Sequence, residues 1–258
     1  MIESLQNQNI KKIQRLQKKT KRRKDDQLIV VEGVREIKIA LQNKYQFTEV
    51  YVCNTIYDHQ LELKGVKIIN VSEQVYQKIA YRSTTEGIIG LAKPKQHHLL
   101  NLKFKNQKPL ILIAEAPEKP GNIGALLRTA DAANLDAVII ANPKTDLYNP
   151  NIIRSSLGTV FSKQIGIGST HEIINFLREK KISIYAATLQ NSNIYTKEDF
   201  TKASAIVVGT ESKGLSELWR NAAKQNINIP MQGSIDSMNV SVSAAIIIFE
   251  AKRQRDLK

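Results

Sequence analysis

The hydrophobic pattern from residue 109 onward alternates between short apolar runs and amphipathic segments, which predict strands and helices in turn. The predicted strands are 109–114, 137–141, 164–168, 182–188, 204–208 and 227–230. The predicted helices are 123–133, 149–158, 171–180, 214–224 and 240–253. Several strand runs are apolar throughout, as in parallel sheets covered on both faces. Residues 109–258 are therefore predicted to form an α/β domain with a mostly parallel sheet.

Residues 27–93 repeat this alternation on a smaller scale. Strand-like runs occur at 28–31, 47–53, 66–71 and 87–92. Helical patterns follow Gly33 and Ser72, and serine is a favourable N-cap residue. This pattern predicts a small N-terminal α/β domain. Residues 94–108 are polar, basic and weakly periodic, and they predict a linker between the two domains.

The distribution of charge indicates the class of partner that the protein binds. The chain has 38 Lys and Arg against 24 Asp and Glu, a formal net charge of +14. Residues 11–24 hold nine of the basic side chains and no acidic one, so residues 1–26 are read as a basic N-terminal arm. Ile10, Ile13 and Leu16 recur at a spacing of three, which allows part of it to be helical. RNA or DNA is the leading partner, and a solvated tail or a membrane-surface patch is the alternative.

Other features restrict the compartment. The N-terminus is polar, and the longest apolar run, Ala244–Phe249, is too short to span a bilayer. The one cysteine, Cys53, has no partner for an internal disulfide and fits a reducing compartment. These features favour a cytoplasmic protein without a membrane partner.

Candidate chemistry lies in the loops that follow the strands, because parallel sheets bind ligands beyond the carboxyl ends of their strands. The four loops are 117–129, 154–158, 209–215 and 229–244. Taken singly, each is also explained by a capped helix or by a glycine that ends one. The chain has no G-x-G-x-x-G sequence, which disfavours a nucleotide-dependent dehydrogenase.

Three of these loops match known motifs in the right order. N-x-G-x-x-x-R-[TS] stands as 122–129, G-x-E-x-x-G-L as 209–215, and I-P-M-x-G-x-x-x-S-L-N-V-S-V-[AS]-A as 229–244, with Met238 where leucine is usual. The C-terminal domain thereby resembles the SpoU (TrmH-type) RNA ribose 2′-O-methyltransferases of the SPOUT superfamily. The run 30–36 is similar to the opening of that family's substrate-binding domain.

The resemblance implies a trefoil-knotted C-terminal fold, a homodimer, and S-adenosylmethionine bound in the knot loops, with no metal. It implies methylation of structured RNA, with ribosomal RNA favoured over transfer RNA. The implied catalytic residues are Asn122, Arg128, Glu211, Ser237 and Asn239. The implied cofactor-binding residues are Thr188, Gly209, Ile229, Met231 and Met238. The basic residues expected to contact RNA are Lys18, Lys19, Arg22, Arg23, Arg35 and Arg154.

The expected roles follow from the chemistry of the side chains. Arginine keeps its proton, so we expect Arg128 to bind a phosphate and stabilise a developing oxyanion rather than act as a base. Asn122 would position the ribose, and Glu211 would orient Arg128 or cap its own loop. Tyr81 and Arg82 either contact RNA or, as the preferred interpretation, end a helix. A non-catalytic RNA-binding or ribosome-assembly factor on the same fold is the alternative function.

Overall fold

The computed structural model describes residues 1–82, 86–210 and 213–256. The chain forms two compact units: unit 1 contains Met1–Gln96 and Asp146–Ser162, and unit 2 contains His97–Thr145 and Lys163–Lys258. The expected pair of α/β bodies is confirmed. The segment Asp146–Ser162, which the sequence analysis included in the C-terminal domain, belongs by its contacts to unit 1.

The elements of the described residues are numbered in chain order. The helices are α1 (Gln8–Lys18), α2 (Thr20–Asp26), α3 (Val34–Gln42), α4 (Glu73–Ile79), α5 (Pro120–Ala132), α6 (Pro150–Ser155), α7 (Thr159–Ser162), α8 (Thr170–Glu179), α9 (Glu217–Ala222) and α10 (Val240–Asp256). The strands are β1 (Ile29–Glu32), β2 (Phe47–Val52), β3 (Lys67–Asn70), β4 (Ile88–Ala92), β5 (Leu110–Glu115), β6 (Ala137–Ala141), β7 (Ile165–Gly168), β8 (Ser183–Ala187), β9 (Asn193–Ile194), β10 (Ser204–Val208) and β11 (Gln225–Asn228). Short 3-10 turns lie at Leu99–Asn101 and Tyr195–Lys197.

Unit 1 is built on a mixed sheet of strand order β1-β4-β2-β3. β4 pairs antiparallel with β1 and β2, and β3 pairs parallel with β2. Helix α1 covers this sheet because its apolar side chains recur every three residues and fall on one face. Ile10, Ile13 and Leu16 are fully buried in one cluster with Tyr51 and Tyr76.

The basic segment at the N-terminus is therefore part of the folded unit and not a separate arm. Its apolar stripe is buried, and Lys18, Lys19 and Arg22 are exposed on the outside. Arg23 is different: only 4% of its side chain is exposed. Its guanidinium donates to the carboxylate of Asp146, to the backbone oxygens of residues 16 and 17, and to the hydroxyl of residue 20. The expectation that Arg23 contacts RNA is corrected, because these bonds use the guanidinium inside the protein.

An aromatic cluster fixes the segment Asp146–Ser162 to the rest of unit 1. The hydroxyl groups of Tyr45 and Tyr148 lie 2.9 Å apart, and the ring of Phe161 meets that of Tyr45 edge-on at a centroid distance of 5.0 Å. Burial raises the pKa of both tyrosines, that of Tyr148 to about 12, so both stay neutral at physiological pH. Gly158, at φ +84°, allows α3 to approach, since a Cβ there would touch Ile39 and the backbone of Glu36.

Unit 2 is built on a parallel sheet of strand order β7-β6-β5-β10-β8-β11-β9. The central strands β5, β6 and β10 are buried along their whole length, as strands with both faces covered must be. Residues of α8 and α9, including Phe176 and Trp219, share a buried cluster with Ile111 of β5, while α10 contacts α5 and β10. The carboxyl ends of β10, β8 and β11 consequently lie side by side.

Apart from β9, which was not predicted, the observed strands match the predicted ones to within two residues at each end, and the mostly parallel sheet is confirmed. The helix predicted at 149–158 is shorter, Pro150–Ser155 (α6), and a second short helix, α7, follows it at Thr159–Ser162. The helix predicted at 123–133 begins earlier, at Pro120, so Asn122 lies in its first turn and is not its cap. None of the described helices is long and apolar enough to cross a bilayer.

Candidate active site

A cavity of about 580 Å³ opens at the carboxyl ends of β8, β10 and β11. The loop after β8 supplies Thr188 to its wall, the loop after β10 supplies Gly209, and the segment after β11 supplies Ile229 and Met231. A volume of this size suits a ligand of a few dozen atoms. All five residues expected to hold a cofactor line this cavity: Thr188, Gly209, Ile229, Met231 and Met238.

The loop after β10 has a shape that only glycine permits at its first position. A Cβ on Gly209 would collide with the backbone of Gly214. Thr210 and Gly214 exchange two backbone hydrogen bonds, each 3.0 Å, and Gly214 has φ +65°. The turn is therefore tight enough to present backbone groups to the cavity. Glu211, expected in this turn as a catalytic residue, lies outside the described residues.

Asn239, in the segment 229–244, caps the helix α10 and contacts the first motif. The side-chain oxygen of Asn239 accepts from the backbone N–H of Ser241 at 2.9 Å and from its hydroxyl at 2.6 Å, at the start of α10. Its amide nitrogen donates to the side-chain oxygen of Asn122 at 3.2 Å. Asn239 and Ser237 also line the cavity. The structure therefore brings Asn122, Ser237 and Asn239 together with the expected cofactor-binding residues.

A second, smaller cleft lies next to the cavity. It has a volume of about 150 Å³ and is lined by Asn122, Lys119 and Leu126 together with Gly209 and Thr210. The turn after β10 is thus a wall shared by the two spaces. A chain or ligand in the cleft would lie directly beside a ligand in the cavity.

Arg128 is not among the described residues that line the cavity of its own chain. It lies six residues after Asn122 on α5, and its side chain is exposed. Six residues are one and two-thirds helical turns, so the two side chains point in different directions from the helix axis. Among the described residues of one chain, Arg128 therefore does not join Ser237 and Asn239 in the cavity wall.

Several polar residues of the cavity wall were not predicted from the sequence, among them Lys213, Arg220, Asn228 and Asp236. The Asn228 amide donates to the hydroxyl of Ser192 at 2.8 Å, while its buried side-chain oxygen lacks a hydrogen-bond partner among the described residues. Arg220 donates to the backbone oxygen of Leu215 at 2.7 Å. Asn228 ends β11, whose sequence QNIN is mostly polar, so the sequence offered no signal that would single it out.

A buried carboxylate anchors the end of the loop after β10. Glu115, the last residue of β5, accepts from the backbone N–H of Ser216 at 2.8 Å and from its hydroxyl at 2.7 Å. It also accepts from the hydroxyl of Thr170 at 3.3 Å, and only 7% of Glu115 is exposed. Glu115 therefore ties β5 to the starts of α8 and α9, directly after the cavity residues Gly214 and Leu215.

The residues expected to contact RNA lie in unit 1. Lys18, Lys19, Arg22, Arg35 and Arg154 are exposed. Arg35 donates to the carboxylate of the fully buried Glu36 at 3.0 Å while half of its own side chain stays exposed. Their contact with RNA stays a prediction.

Comparison with known proteins agrees with this architecture. The model described as the SpoU rRNA Methylase family matches residues 109–249, more than half of the chain. The chain belongs to this family. The model described as the MRM3-like substrate binding domain matches residues 7–90, a span that includes α1 and α2. The SpoU family resemblance drawn from the three motifs is confirmed.

Relatives of this SpoU family member cover almost its whole length. The 23S rRNA (guanosine(2553)-2′-O)-methyltransferase RlmP of Bacillus subtilis (strain 168) is 28% identical over 252 residues, which are 97% of this chain and 98% of the relative. A crystal structure of an RNA 2′-O ribose methyltransferase is 37% identical, with a TM-score of 0.87 and 98% of each chain covered. An AdoMet-bound rRNA methyltransferase from Sinorhizobium meliloti, at 24% identity, shares the fold with a TM-score of 0.88 over 98% of this chain and 97% of the other.

Proposed function

We propose that this protein transfers a methyl group from S-adenosylmethionine to a ribose 2′-hydroxyl of ribosomal RNA, and that it acts as a cytoplasmic homodimer. The observation that carries the proposal is the cavity at the ends of β8, β10 and β11, whose wall contains residues of the second and third motifs. Asn239, in that wall, is bonded to Asn122 of the first motif. The names of the relatives support ribosomal RNA as the substrate.

The residues of the cavity fit the proposed cofactor. Val208, Leu215 and Ile229 offer apolar surface for adenine, and the tight turn at Gly209 offers backbone groups for hydrogen bonds. Lys213, Arg220 and Asp236 supply both signs of charge for an amino-acid tail. The unpartnered side-chain oxygen of Asn228 can accept a hydrogen bond from the ligand.

When bound, S-adenosylmethionine supplies a methyl group on a sulfonium that a ribose oxygen attacks in line. The chain must hold that oxygen in place and exclude water. Asn122 and Asn239, joined at 3.2 Å, form a fixed amide pair that can orient the ribose. A guanidinium keeps its proton at neutral pH, so Arg128 binds a phosphate and stabilises charge on the attacking oxygen, and the proton leaves to that phosphate or to water.

A homodimer would complete the site, because Arg128 does not line the cavity of its own chain. The helix α10, which contacts α5, exposes Val242 and Phe249, two turns apart on one face. About half of each of these side chains is exposed, at 48% and 50%. Covering this face with a second copy removes apolar surface from water, and a two-fold arrangement would carry each Arg128 toward the other chain's cavity.

The test of this arrangement uses two inactive variants expressed together. Arg128→Ala removes the guanidinium, and Gly209→Val fills the turn, so each variant alone is expected to lose transfer of labelled methyl groups to ribosomal RNA. If Arg128 acts on the partner's cavity, mixed dimers have one intact site. Random mixing then restores about a quarter of wild-type turnover.

Calorimetry with S-adenosylmethionine is the control, since Arg128→Ala should still bind the cofactor and Gly209→Val should not. No rescue in mixed dimers would show that Arg128 acts within its own chain or not at all. Wild-type protein that binds cofactor and RNA but transfers no methyl group would favour a non-catalytic RNA-binding factor.

A further inference from the structure

A cleft in unit 1 combines an exposed aromatic ring with arginines in a way that the proposed chemistry does not use. Its lining includes Gln17, Glu32, Tyr81, Arg82, Ile153 and Arg154. We call it the Tyr81 cleft. Its volume is only about 10 Å³, so a ligand larger than water would lie over its mouth and against the exposed ring, and not inside it. The cleft joins the end of α1, the segment after α4 and the helix α6, all within unit 1.

Tyr81 is unusual among the tyrosines of this unit because 45% of it is exposed. Tyr45, Tyr51 and Tyr76 are all buried. Moving an exposed aromatic ring out of water, by covering it with another apolar surface, is favourable in free energy. Its position beside arginines makes it a candidate surface for a flat ligand.

Two buried carboxylates hold this segment in place, one through its backbone and one through a side chain. Glu32 accepts from the backbone N–H of Tyr81 at 2.7 Å and from that of Arg82 at 3.2 Å. Burial raises the pKa of Glu32, and these backbone bonds oppose that rise. Glu36, fully buried, accepts from the Arg82 guanidinium at 2.7 Å. The segment is thus fixed at two successive residues by groups that water does not reach.

The floor of the cleft is fixed as well. The side-chain amide of Gln17 donates to the backbone oxygen of Ile79 at 2.6 Å, which ties α1 to the end of α4. A binding surface held rigid before its ligand arrives loses little conformational entropy on binding.

Arg154 supplies the positive charge on the rim of the cleft, because it is exposed there. The other lining arginine, Arg82, donates to the buried carboxylate of Glu36. The carboxylates of Glu32 and Glu86 also lie near Arg82. A phosphate would therefore be attracted to the rim at Arg154 and not to the interior of the cleft.

We infer that the Tyr81 cleft binds an unpaired nucleotide of the RNA substrate, with its base stacked on the Tyr81 ring and an adjacent phosphate on Arg154. Unpaired bases stack on aromatic side chains, whereas bases inside a duplex are not available for this contact. Arginine is the side chain best suited to bind a phosphate in two places at once. This inference rests on the proposed function for the identity of the ligand as RNA.

The experiment measures binding of two fluorescein-labelled RNAs by anisotropy: a hairpin with an unpaired loop, and a blunt duplex of the same stem. Tyr81→Ala is expected to weaken hairpin binding by about ten-fold or more, as loss of one stacked base predicts. Tyr81→Phe keeps the ring and should bind like wild type. Tyr81→Leu keeps apolar bulk without the ring and should resemble the alanine variant. Duplex binding should not change in any of the three.

Arg154→Gln tests the phosphate contact. It should weaken binding of both RNAs and lower the slope of log K against log salt by about one. Lys64→Gln is the control for loss of one charge, because the Lys64 side chain is 90% exposed in the same unit and is not among the residues that line the cleft. It removes one charge and should leave that slope nearly unchanged.

Equal hairpin affinity for Tyr81→Ala and wild type would overturn the inference, as would equal losses on hairpin and duplex. The melting temperature and the affinity for S-adenosylmethionine must stay at wild-type values, which excludes misfolding. If Tyr81→Ala weakens hairpin binding in a protein that transfers no methyl group, the proposed function fails and the cleft remains an RNA site. If methyl transfer occurs and Tyr81→Ala leaves the KM for RNA unchanged, the cleft assignment alone fails.

Discussion

The side chain of Asn239 contributes both to the stability of unit 2 and to the proposed chemistry. Asn239 uses its oxygen to cap α10 and its amide nitrogen to hold Asn122. An N-cap bond satisfies one of the free N–H groups at a helix start, and its loss typically costs about 1 kcal/mol. Because one side chain has both roles, a change at this position must be chosen to separate them.

Asn239→Asp separates the two roles. A carboxylate still accepts from Ser241 and favours the helix N-terminus, so the free energy of unfolding should stay near that of wild type. It has no N–H to donate to Asn122, so kcat for methyl transfer should fall at least ten-fold. Asn239→Ala should lose both the cap, at about 1 kcal/mol of stability, and activity.

Urea unfolding and single-turnover methyl transfer measure the two effects. Ser241→Ala is the control that removes one donor to the cap while leaving the bond between Asn239 and Asn122. An Asn239→Asp variant with wild-type turnover would show that this amide bond has no part in catalysis.

The five expected cofactor-binding residues share one cavity because they follow adjacent strands of a parallel sheet. Their contact with the cofactor stays a prediction. Arg23 was wrong because charge alone does not reveal burial, and its partner Asp146 is 123 positions away. Arg128 lies outside its own chain's cavity, and no pattern in one chain could have predicted that.

At the scale of elements, most strands were predictable because they contain an apolar run bounded by turns, as β6 and β10 do. The helices within residues 8–26 were predicted only in part. The spacing of Ile10, Ile13 and Leu16 indicated a helix, but the excess of lysine and arginine suggested an exposed arm. Burial of that stripe against the sheet decided the outcome. The two-residue strand β9 has no signal in the sequence that exceeds its turn-like neighbours.

Glu115 connects three elements of unit 2, and its replacement should loosen the wall of the cavity. Glu115→Ala leaves the half-buried N–H and hydroxyl of Ser216 without their carboxylate acceptor, which costs about 1–3 kcal/mol. That loss lowers the melting temperature by about 2–12 °C in a chain of this size. Since Ser216 follows Gly214 and Leu215, the Kd for S-adenosylmethionine should also rise several-fold.

Differential scanning calorimetry and isothermal titration measure these effects. Glu217→Gln is the matched control, because Glu217 is an exposed carboxylate one residue further along on α9. It should change neither quantity. A Glu115→Ala protein with a lowered melting temperature and an unchanged cofactor Kd would limit Glu115 to a structural role.

At the scale of the molecule, the path of the chain is what the sequence could not predict. Asp146–Ser162 follows β6 of unit 2 but packs in unit 1. The contacts responsible, such as Tyr45 with Phe161, join residues more than a hundred positions apart, and periodicity carries no information at that range. The trefoil knot implied by the family resemblance stays a prediction for the same reason.

This path predicts which unit loses stability when Phe161 is truncated. Phe161 is 3% exposed and meets Tyr45 edge-on, so Phe161→Ala removes a buried ring at a cost of about 3–5 kcal/mol. Hydrogen exchange followed by mass spectrometry should show faster exchange of backbone amides in α3 and β2, by about a hundred-fold or more where exchange requires opening of the unit. Amides of β5 and β6 in unit 2 should keep their wild-type rates.

Phe176→Ala, which removes a 6% exposed ring from the unit 2 cluster, should give the reverse pattern. If Phe161→Ala instead speeds exchange in β5 and β6, then Asp146–Ser162 stabilises unit 2, and not unit 1 as its contacts indicate.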